Sequence, residues 1–284
     1  MKAPTFQYRR IETLDELLRA LAVHGEAASI LAGGQSLVPL MNLRMARPDV
    51  LLDINRLNEL SGIRVEDDRL VIGTLARHVD VLNSPDVRRH APLIANAMPH
   101  VAHDAIRNRG TFGGSVALAD PAAELPACCL ALDAEIELRS QAGARTVPAT
   151  DFFLGAYETA CTVTEALVAV HIPIKKETVS FFEELSRRRG DYALAGLAAR
   201  ASIIGSRLSD IRLVFFGVED RPLRAKATEA ALEKGDAAAA EAALEVDLDP
   251  INDPQTSSAA RRQFSHVLLR RAVDTWLPKG TIDG

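Results

Sequence analysis

The sequence predicts an α+β protein in three consecutive parts, and the order of its strand-like and helix-like segments supports this class. Residues 1–57 carry a strand–helix–strand pattern, and residues 58–175 mix strands with helices. Residues 176–284 carry strands first and helices afterwards. Apolar residues make up 48% and charged residues 25% of the 284-residue chain, which is typical of a globular protein with a substantial core.

The first part begins with an amphipathic helix. Thr13 is placed to cap a helix over Leu14–His24, and Glu16 stands three residues later, as in a capping box. Leucines at helical spacing form its apolar face, and Gly25 is expected to end it.

A strand–turn–helix–strand unit follows that helix. We expect a strand at Ser29–Ala32, a turn into a short helix over residues 35–44, and a second strand at Val50–Ile54. This βαβ arrangement places Gly33 and Gly34 at the start of its helix.

The second and third parts are predicted from apolar runs and breaker residues. In the second part we expect strands at Leu70–Ile72, Ala134–Leu138 and Leu167–Ile172, helices at Leu75–Val81 and Pro92–His103, a glycine-punctuated segment at Thr111–Ala119, and a loop at Asp151–Phe153. In the third part we expect strands around Phe181–Ser186, Leu197–Ile204 and Ile211–Phe216, followed by helices near 225–234, 236–245 and 256–276.

Composition excludes several functional classes. The net charge of −5 argues against nucleic-acid binding, which normally needs a basic face. Cys128, Cys129 and Cys161 lack the spacing of a disulfide framework, a zinc site or an iron–sulfur site, so we expect reduced thiols. The sequence shows no signal segment and no apolar run that could span a bilayer, so we expect a cytoplasmic protein without direct membrane insertion.

The segment Ala32–Leu37, A-G-G-Q-S-L, is the most informative motif. Its two glycines after a strand let the backbone approach a ligand closely. Free N–H groups at the start of the following helix favour an anion, and Ser36 adds a hydroxyl donor. A diphosphate is a natural occupant, and a plain tight turn is the alternative.

A second segment, Thr111-Phe112-Gly113-Gly114-Ser115, repeats this chemistry. Two arginines, Arg107 and Arg109, precede it and either balance phosphate charge or hold the loop through carbonyls and carboxylates. Two such loops fit a dinucleotide better than one does. Further along the chain, Asp120 or Glu124 could accept hydrogen bonds from ribose hydroxyls, or serve as a cap or surface charge.

Several familiar catalytic sites are missing from the sequence. It has no G-x-G-x-x-G, no G-K-[ST], no complete nucleophile elbow and no H-E-x-x-H. His100 and His103 stand three residues apart on a predicted helix, without a convincing third metal ligand, so packing or capping is their expected role. Ligand-binding loops without acid–base or nucleophilic residues suit a flavin carrier, because the flavin itself performs the redox chemistry.

With these motifs, the chain resembles the FAD-binding medium subunits of molybdenum hydroxylases, the xanthine dehydrogenase-like and carbon monoxide dehydrogenase-like enzymes. The resemblance runs through nearly the whole length. It is carried by F-Q-Y-R at 6–9, by L-A-G-G-Q-S-L-V-P-L-M-N-L-R-M-A-R-P-D-V-L-L-D-I-N-R at 31–56, by R-N-R-G-T-F-G-G-S-V-A-L-A-D-P-A-A-E-L-P at 107–126, and by R-R-R-G-D-Y-A at 187–193.

The resemblance implies a two-part FAD-binding fold of the vanillyl-alcohol oxidase type, with a small βαβ-containing domain at 1–57 and a mixed β-sheet domain with helices at 58–175. A C-terminal α+β domain of the CO dehydrogenase flavoprotein type would occupy 176–284. FAD would lie between the first two domains. The implied cofactor-binding residues are Ala32, Gly33, Gly34, Gln35, Ser36, Leu37, Val101, Thr111, Gly113, Gly114, Ser115, Glu124, Leu167, Asp191 and Tyr192.

Each segment carries its own implied role. Residues 32–37 and 111–115 would approach the diphosphate from opposite sides, and Glu124 matches a ribose-binding acid. Val101 and Leu167 match apolar or backbone contacts, and residues 191–192 match a segment on the isoalloxazine side.

Four residues depart from the pattern of relatives. Ser115 stands in place of an Asn and Ser186 in place of a Lys of the xanthine oxidase branch, Glu124 replaces an Asp, and Leu118 occupies a position where close relatives often carry His.

The implied function is electron transfer within a larger enzyme. A large partner subunit would hydroxylate substrate at a molybdenum cofactor, and a small partner subunit with 2Fe-2S clusters would pass the electrons to FAD. An external acceptor would then take them, and the implied assembly is a dimer of heterotrimers. No catalytic or metal-ligating residue is expected in this chain. The alternatives are a stand-alone FAD-dependent oxidoreductase of the vanillyl-alcohol oxidase type, or a non-catalytic nucleotide-binding scaffold.

Overall fold

The computed structural model describes residues 2–205 and 207–277, and three main β-sheets follow one another along this part of the chain. A three-stranded sheet comes first, a five-stranded sheet second and a four-stranded sheet third. Helices cover the sheets, as expected for an α+β protein. Within the described residues, no helix is both long and apolar enough to cross a membrane.

The first part contains a parallel sheet with its third strand in the centre. Its elements are β1 (Gln7–Arg10), α1 (Leu14–His24), β2 (Ala28–Leu31), α2 (Leu37–Asn42) and β3 (Val50–Asp53). The predicted βαβ unit is confirmed as β2–α2–β3. Strand β1 was not predicted, because its sequence Q-Y-R-R is polar and its pairing with β3 alone makes it a strand.

The predicted first helix is confirmed with its caps. The Thr13 hydroxyl accepts from the Glu16 N–H over 3.1 Å, and Gly25 ends the helix with a φ of +51°. The Glu16 carboxylate accepts from the Glu12 N–H over 3.0 Å, one residue earlier than a capping box requires.

The second part is built on an antiparallel sheet in the order β4-β5-β10-β6-β7. Its elements are β4 (Ile63–Glu66), β5 (Arg69–Gly73), α3 (His78–Asn83), α4 (Pro85–His90), α5 (Pro92–Ala97), α6 (Asp104–Arg107), α7 (Phe112–Leu118), α8 (Glu124–Ala131), β6 (Glu135–Ser140), β7 (Gly143–Pro148), α9 (Ala149–Phe152), β8 (Phe153–Gly155), β9 (Glu158–Thr159) and β10 (Ala166–Pro173). The three strands predicted here are confirmed.

The loop expected at Asp151–Phe153 is wrong, because these residues end α9 and begin β8. The helix expected at Leu75–Val81 begins only at His78. Residues 74 and 75 instead donate their N–H groups to the carbonyls of Val168 and Leu60, over 3.0 and 2.8 Å.

The helix expected over Pro92–His103 ends at Ala97, so that prediction is also wrong. Ala102 has a φ of +46°, and the Arg107 guanidinium binds the carbonyls of Val101 and Ala102 over 2.8 Å each. These contacts turn the chain, and His100 and His103 therefore share no helix face.

Helix α8 was missed because it shows no amphipathic period. All eight of its residues are buried, so its sequence E-L-P-A-C-C-L-A has no polar face to reveal the helical repeat. It packs against the sheet of the third part, and both of its cysteines are buried free thiols.

The third part is an antiparallel sheet in the order β11-β12-β13-β14 with three helices after it. Its elements are β11 (Thr178–Leu185), β12 (Ala195–Ile204), β13 (Arg207–Phe216), β14 (Leu223–Arg224), α10 (Lys226–Glu233), α11 (Ala237–Asp247) and α12 (Ser258–Trp276). The strands and helices predicted for this part are confirmed.

An ion-pair cluster joins the second part to the third. Arg200 on β12 is 2% exposed and donates to the carbonyl of Ala131, the last residue of α8, over 2.9 Å. Its guanidinium also pairs with Asp133 and Asp210, and Arg212 binds the same two carboxylates. The end of α8 is thereby fixed to β12 and β13.

Candidate functional site

The described residues enclose one large cavity, with a volume of about 540 Å³, between the first part, the second part and the loop before β12. Such a volume is ordinary for a ligand-binding pocket. Every residue predicted to bind the cofactor lines it, namely Ala32, Gly33, Gly34, Gln35, Ser36, Leu37, Val101, Thr111, Gly113, Gly114, Ser115, Glu124, Leu167, Asp191 and Tyr192. The fold thus brings together residues that are far apart in the sequence.

The first glycine motif forms the turn between β2 and α2. Gly34 has a φ of +71°, which favours glycine, and its carbonyl accepts the first helical hydrogen bond from Val38 over 3.1 Å. The backbone N–H groups of residues 34–37 have no protein acceptor among the described residues. Successive free N–H groups in a turn form a concave donor surface for an anion.

Gly33 is required for a contact between the two motifs. A Cβ on Gly33 would lie 2.4 Å from the carbonyl oxygen of Arg109 and 2.8 Å from the Cα of Gly110. Any larger side chain would therefore push the two loops apart.

The second motif differs from the first in its hydrogen bonds. Thr111 caps α7 and accepts from the Gly114 N–H over 3.1 Å. The N–H groups of Phe112 and Gly113 donate to carbonyls of residues 76 and 74, over 2.9 and 3.0 Å. These donors are used within the protein, so this loop offers a ligand its hydroxyls and its surface rather than a row of free N–H groups.

Neither arginine near the second motif lines the cavity. Arg107 binds the carbonyls of residues 101 and 102 and pairs with Asp104, so its role is to hold the loop. Among the described residues, no Lys or Arg side chain lines the cavity at all. An anion bound there would depend on backbone N–H groups and hydroxyls.

His78 is a cavity residue that the sequence did not identify. It is 6% exposed, and its Nε2 lies 2.9 Å from the carbonyl oxygen of Thr111, to which it donates. Its Nδ1 is buried without a protein partner in the described part of the chain. Burial lowers the pKa of His78 to about 4, so the ring is neutral at neutral pH.

Asp120 lines the cavity from the segment between α7 and α8. It is 8% exposed and accepts from the Ala122 N–H over 2.9 Å and from the Tyr157 hydroxyl over 3.2 Å. Tyr192 also lines the cavity, and 63% of the whole residue is exposed. Partial burial of its side chain and the nearby carboxylate of Asp120 raise the pKa of its hydroxyl. Asp191 is exposed beside it.

Glu124 begins α8 and is 9% exposed on the cavity wall. Burial, together with the neighbouring carboxyl of Glu184, raises the pKa of Glu124 to about 8. The side chain is therefore mostly protonated at neutral pH and can donate a hydrogen bond, whereas the sequence predicted a carboxylate that only accepts. Within the described residues, no group of three or more His, Cys, Asp or Glu side chains is arranged to hold a metal ion.

Comparison with known protein families identifies similarity over two consecutive stretches of the chain. Residues 4–175 match the family model described as the FAD binding domain in molybdopterin dehydrogenase. Residues 180–276 match the model described as the CO dehydrogenase flavoprotein C-terminal domain.

Individual relatives match over nearly their full length. The chain is 37% identical over 280 residues to the 6-hydroxypseudooxynicotine dehydrogenase complex subunit alpha of Paenarthrobacter nicotinovorans, covering 96% of this chain and 95% of the relative. It is 36% identical over 277 residues to the glyceraldehyde dehydrogenase medium chain of Sulfolobus acidocaldarius, covering 96% and 98%. Its structure matches a chain of carbon monoxide dehydrogenase from Hydrogenophaga pseudoflava with a TM-score of 0.93 and 37% identity, over 96% of this chain and 98% of the other.

Proposed function

The chain belongs to the FAD-binding medium-subunit family of molybdenum hydroxylases, and from this premise we propose how it holds and serves its cofactor. It is an oxidoreductase subunit, and members of this family work in multi-subunit enzymes. The observation that carries the proposal is the cavity between the two glycine motifs, which is lined by residues 34–37, whose four backbone N–H groups have no acceptor among the described residues.

We propose that FAD occupies this cavity. The N–H groups of residues 34–37 and the Ser36 hydroxyl would bind the diphosphate, with Thr111 and Ser115 approaching it from the other loop. Glu124 would bond to a ribose hydroxyl, and Val101 and Leu167 would supply apolar contacts. Asp191 and Tyr192 would stand on the isoalloxazine side.

The arrangement fits FAD better than a more highly charged ligand. A diphosphate needs several donors but no metal, and the free backbone N–H groups supply them. Triphosphates normally need a cation, and no Lys or Arg in the described residues lines this cavity. When bound, FAD supplies two-electron redox chemistry, and this chain binds it, orients it and limits its contact with water.

We propose that the chain receives electrons from 2Fe-2S clusters on a small partner subunit and delivers them to an external acceptor. The electrons would originate from substrate hydroxylated at a molybdenum cofactor on a large partner subunit. A dimer of such heterotrimers is the proposed assembly. We also propose domain boundaries at 57/58 and 175/176, near the points where one sheet ends and the next begins. The cytoplasmic location stays a prediction of the sequence.

The experiment that tests this function is cofactor identification. The natively purified chain should show a flavin absorption spectrum, and heating should release FAD at about one per chain. A colourless protein that also refuses added FAD, both alone and when co-expressed with large and small partner subunits, would overturn the proposal. Copurification of iron and molybdenum with two further chains would support the subunit role against a stand-alone flavoenzyme.

A further inference from the structure

The loop between β11 and β12 forms part of the cavity wall, although it belongs to the third part of the chain. This loop runs over residues 186–194, and residues 190–192 within it line the cavity. Its base is closed by a hydrogen bond from the N–H of Leu194 to the carbonyl of Leu185, over 2.8 Å. The contacts that fix this loop therefore also fix one wall of the cavity.

The turn of the loop has a defined shape. Gly190 has a φ of +84°, and a Cβ on it would lie 2.5 Å from Cε1 of His103 in the second part. The carbonyl of Arg188 accepts from the N–H of Asp191 and from the hydroxyl of Ser186, over 3.0 Å each. These contacts set the turn itself, whereas two arginine side chains connect the loop to the helices of the third part.

Arg261, in the first turn of α12, binds the end of this loop directly. Its guanidinium donates to the carbonyl of Leu194 over 2.9 Å and pairs with Asp253, and only 5% of its side chain is exposed. The carboxylate of Asp253 also accepts from the N–H groups of Gln255 and Thr256, over 2.7 and 2.9 Å. Arg261 therefore ties the end of the cavity loop to the turn that precedes α12.

A second arginine connects the start of the loop to the same turn. The guanidinium of Arg187 donates to the carbonyl of Gln255 over 3.0 Å. Both ends of the loop, at residues 187 and 194, are thus bound to the segment at the start of α12. The residues that line the cavity lie between these two points.

Stability alone does not explain a guanidinium at position 261. Its Nε is buried and has no acceptor among the described residues, and an unpaired buried donor costs free energy. Replacement of a buried ion pair by apolar residues is often neutral or stabilising. What an apolar side chain could not supply is the directed hydrogen bond to the carbonyl of Leu194.

We propose that Arg261 is a positioning residue for the cofactor site, which acts through the loop at 186–194 and holds residues 190–192 against the cavity. The third part thereby completes the site. This inference rests on the proposed function in one respect, because residues 191 and 192 are taken to stand on the isoalloxazine side of FAD. A loosened loop would leave the glycine motifs in place and expose that end of the cofactor to solvent.

The hold on the loop is tested on the chain without cofactor. In Arg261→Met we expect the backbone N–H groups of residues 187–194 to exchange hydrogen about tenfold faster than in wild type, because a bond that restrains the loop is lost. Hydrogen exchange followed by mass spectrometry measures this. Arg262→Met is the matched control, because Arg262 is the next residue on α12 but binds Glu245 on α11, so exchange of residues 187–194 should not change.

The effect on the cofactor is tested with FAD bound. Quenching of the flavin fluorescence by iodide should be stronger in Arg261→Met than in wild type and unchanged in Arg262→Met. A merely structural role would lower the unfolding temperature without changing this quenching. Arg261→Lys keeps a donor for the carbonyl of Leu194 and should restore part of the protection.

The outcome is decided even if Arg261→Met does not fold. Asp253→Asn then replaces it, since it removes the charge that pairs with Arg261 but keeps an acceptor for the N–H groups of residues 255 and 256, and it should speed exchange of the loop by a smaller factor. Wild-type exchange in the folded variant would overturn the proposal, as would faster exchange with unchanged quenching. Failure of the wild-type chain to bind FAD would refute the proposed function, and the exchange experiment would still decide whether Arg261 holds the loop.

Discussion

The guanidinium of Arg77 donates to the side-chain oxygen of Asn55 over 2.6 Å, and this bond joins the two glycine loops. The amide of Asn55 donates to the carbonyl of Ala32 over 2.9 Å, on the first loop. Arg77 also donates to the carbonyl of Arg109, beside the second loop. A site that binds an anion through backbone N–H groups depends on the position of its backbone, and this chain of bonds sets that position.

We expect Gly33→Ala to weaken FAD binding by about tenfold or more, which corresponds to at least about 1.4 kcal/mol. The added Cβ would meet the carbonyl oxygen of Arg109 at 2.4 Å, so the loops must separate. Fluorescence titration of FAD into the apo chain measures the effect. Gly62→Ala is the matched control, because within the described part of the chain its Cβ would contact only the side chain of Arg64, at 3.8 Å. Equal affinity in the two variants would refute the role assigned to Gly33.

We expect Arg77→Met to lower the affinity for FAD by about tenfold although Arg77 does not line the cavity. Its loss would free the carbonyl of Arg109 and the side chain of Asn55, and the loops would no longer be held together. The same titration, with circular dichroism to verify folding, measures it. Arg64→Met is the control, since Arg64 is an exposed arginine whose one ion-pair partner among the described residues is Glu66. Wild-type affinity in Arg77→Met would show that the bond between the loops is dispensable.

The pH dependence of the apo chain should reveal His78. Its pKa is lowered from 6.5 to about 4 in the folded state, mainly by burial. The stability it contributes is therefore complete above about pH 6.5 and is lost as the pH falls toward 4, by up to about 3 kcal/mol. Urea unfolding at a series of pH values measures this slope. His78→Gln, which keeps a donor for the carbonyl of Thr111, should flatten it, and an unchanged slope would exclude His78 as its source.

The short-range sequence pattern predicted the two glycine loops of the cavity. The features that it missed depend on contacts between distant parts of the chain. Gly33 and Gly34 follow a strand in the sequence, so the turn and its free N–H groups could be expected. The bond from Arg77 to Asn55 joins residues 22 positions apart, and only the folded chain brings them together. His78 lies in a predicted helix and looks like an ordinary polar residue until its burial is known.

The family resemblance supplied what local patterns could not. Val101, Leu167 and Tyr192 have no distinguishing neighbours in the sequence, yet all three line the cavity. Neither the local patterns nor the resemblance predicted helix α8 or the raised pKa of Glu124. A fully buried helix has no amphipathic repeat. The pKa of Glu124 is raised first by burial and then by Glu184, which lies 60 residues away on the sheet of the third part, so it depends on the folded chain.

Arg200 should be the most sensitive single position for stability at the junction of the second and third parts. We expect Arg200→Met to cost about 1–3 kcal/mol, because it leaves the buried carbonyl of Ala131 without its side-chain donor and removes one partner from Asp133 and Asp210, which keep Arg212. Chemical unfolding followed by circular dichroism measures the loss. Arg139→Met removes an exposed pair with Glu137 and should cost under about 1 kcal/mol. Similar losses in both variants would contradict the role of the cluster.

Glu124 should make the apo chain less stable as the pH rises, opposite in sign to His78. Its pKa is raised from 4.5 to about 8, so the folded state retains a proton that the unfolded chain has released. Below about pH 4.5 both the folded and the unfolded chain hold this proton, and the contribution of Glu124 to the free energy of unfolding is at its highest. Between pH 4.5 and 8 that free energy falls by a few kcal/mol. Glu124→Gln is neutral in both states and should be more stable than wild type at pH 8, with a smaller difference at pH 5. Thermal unfolding at the two pH values measures this. A variant less stable than wild type at pH 8 would show that Glu124 is ionised and favourably bonded in the folded chain.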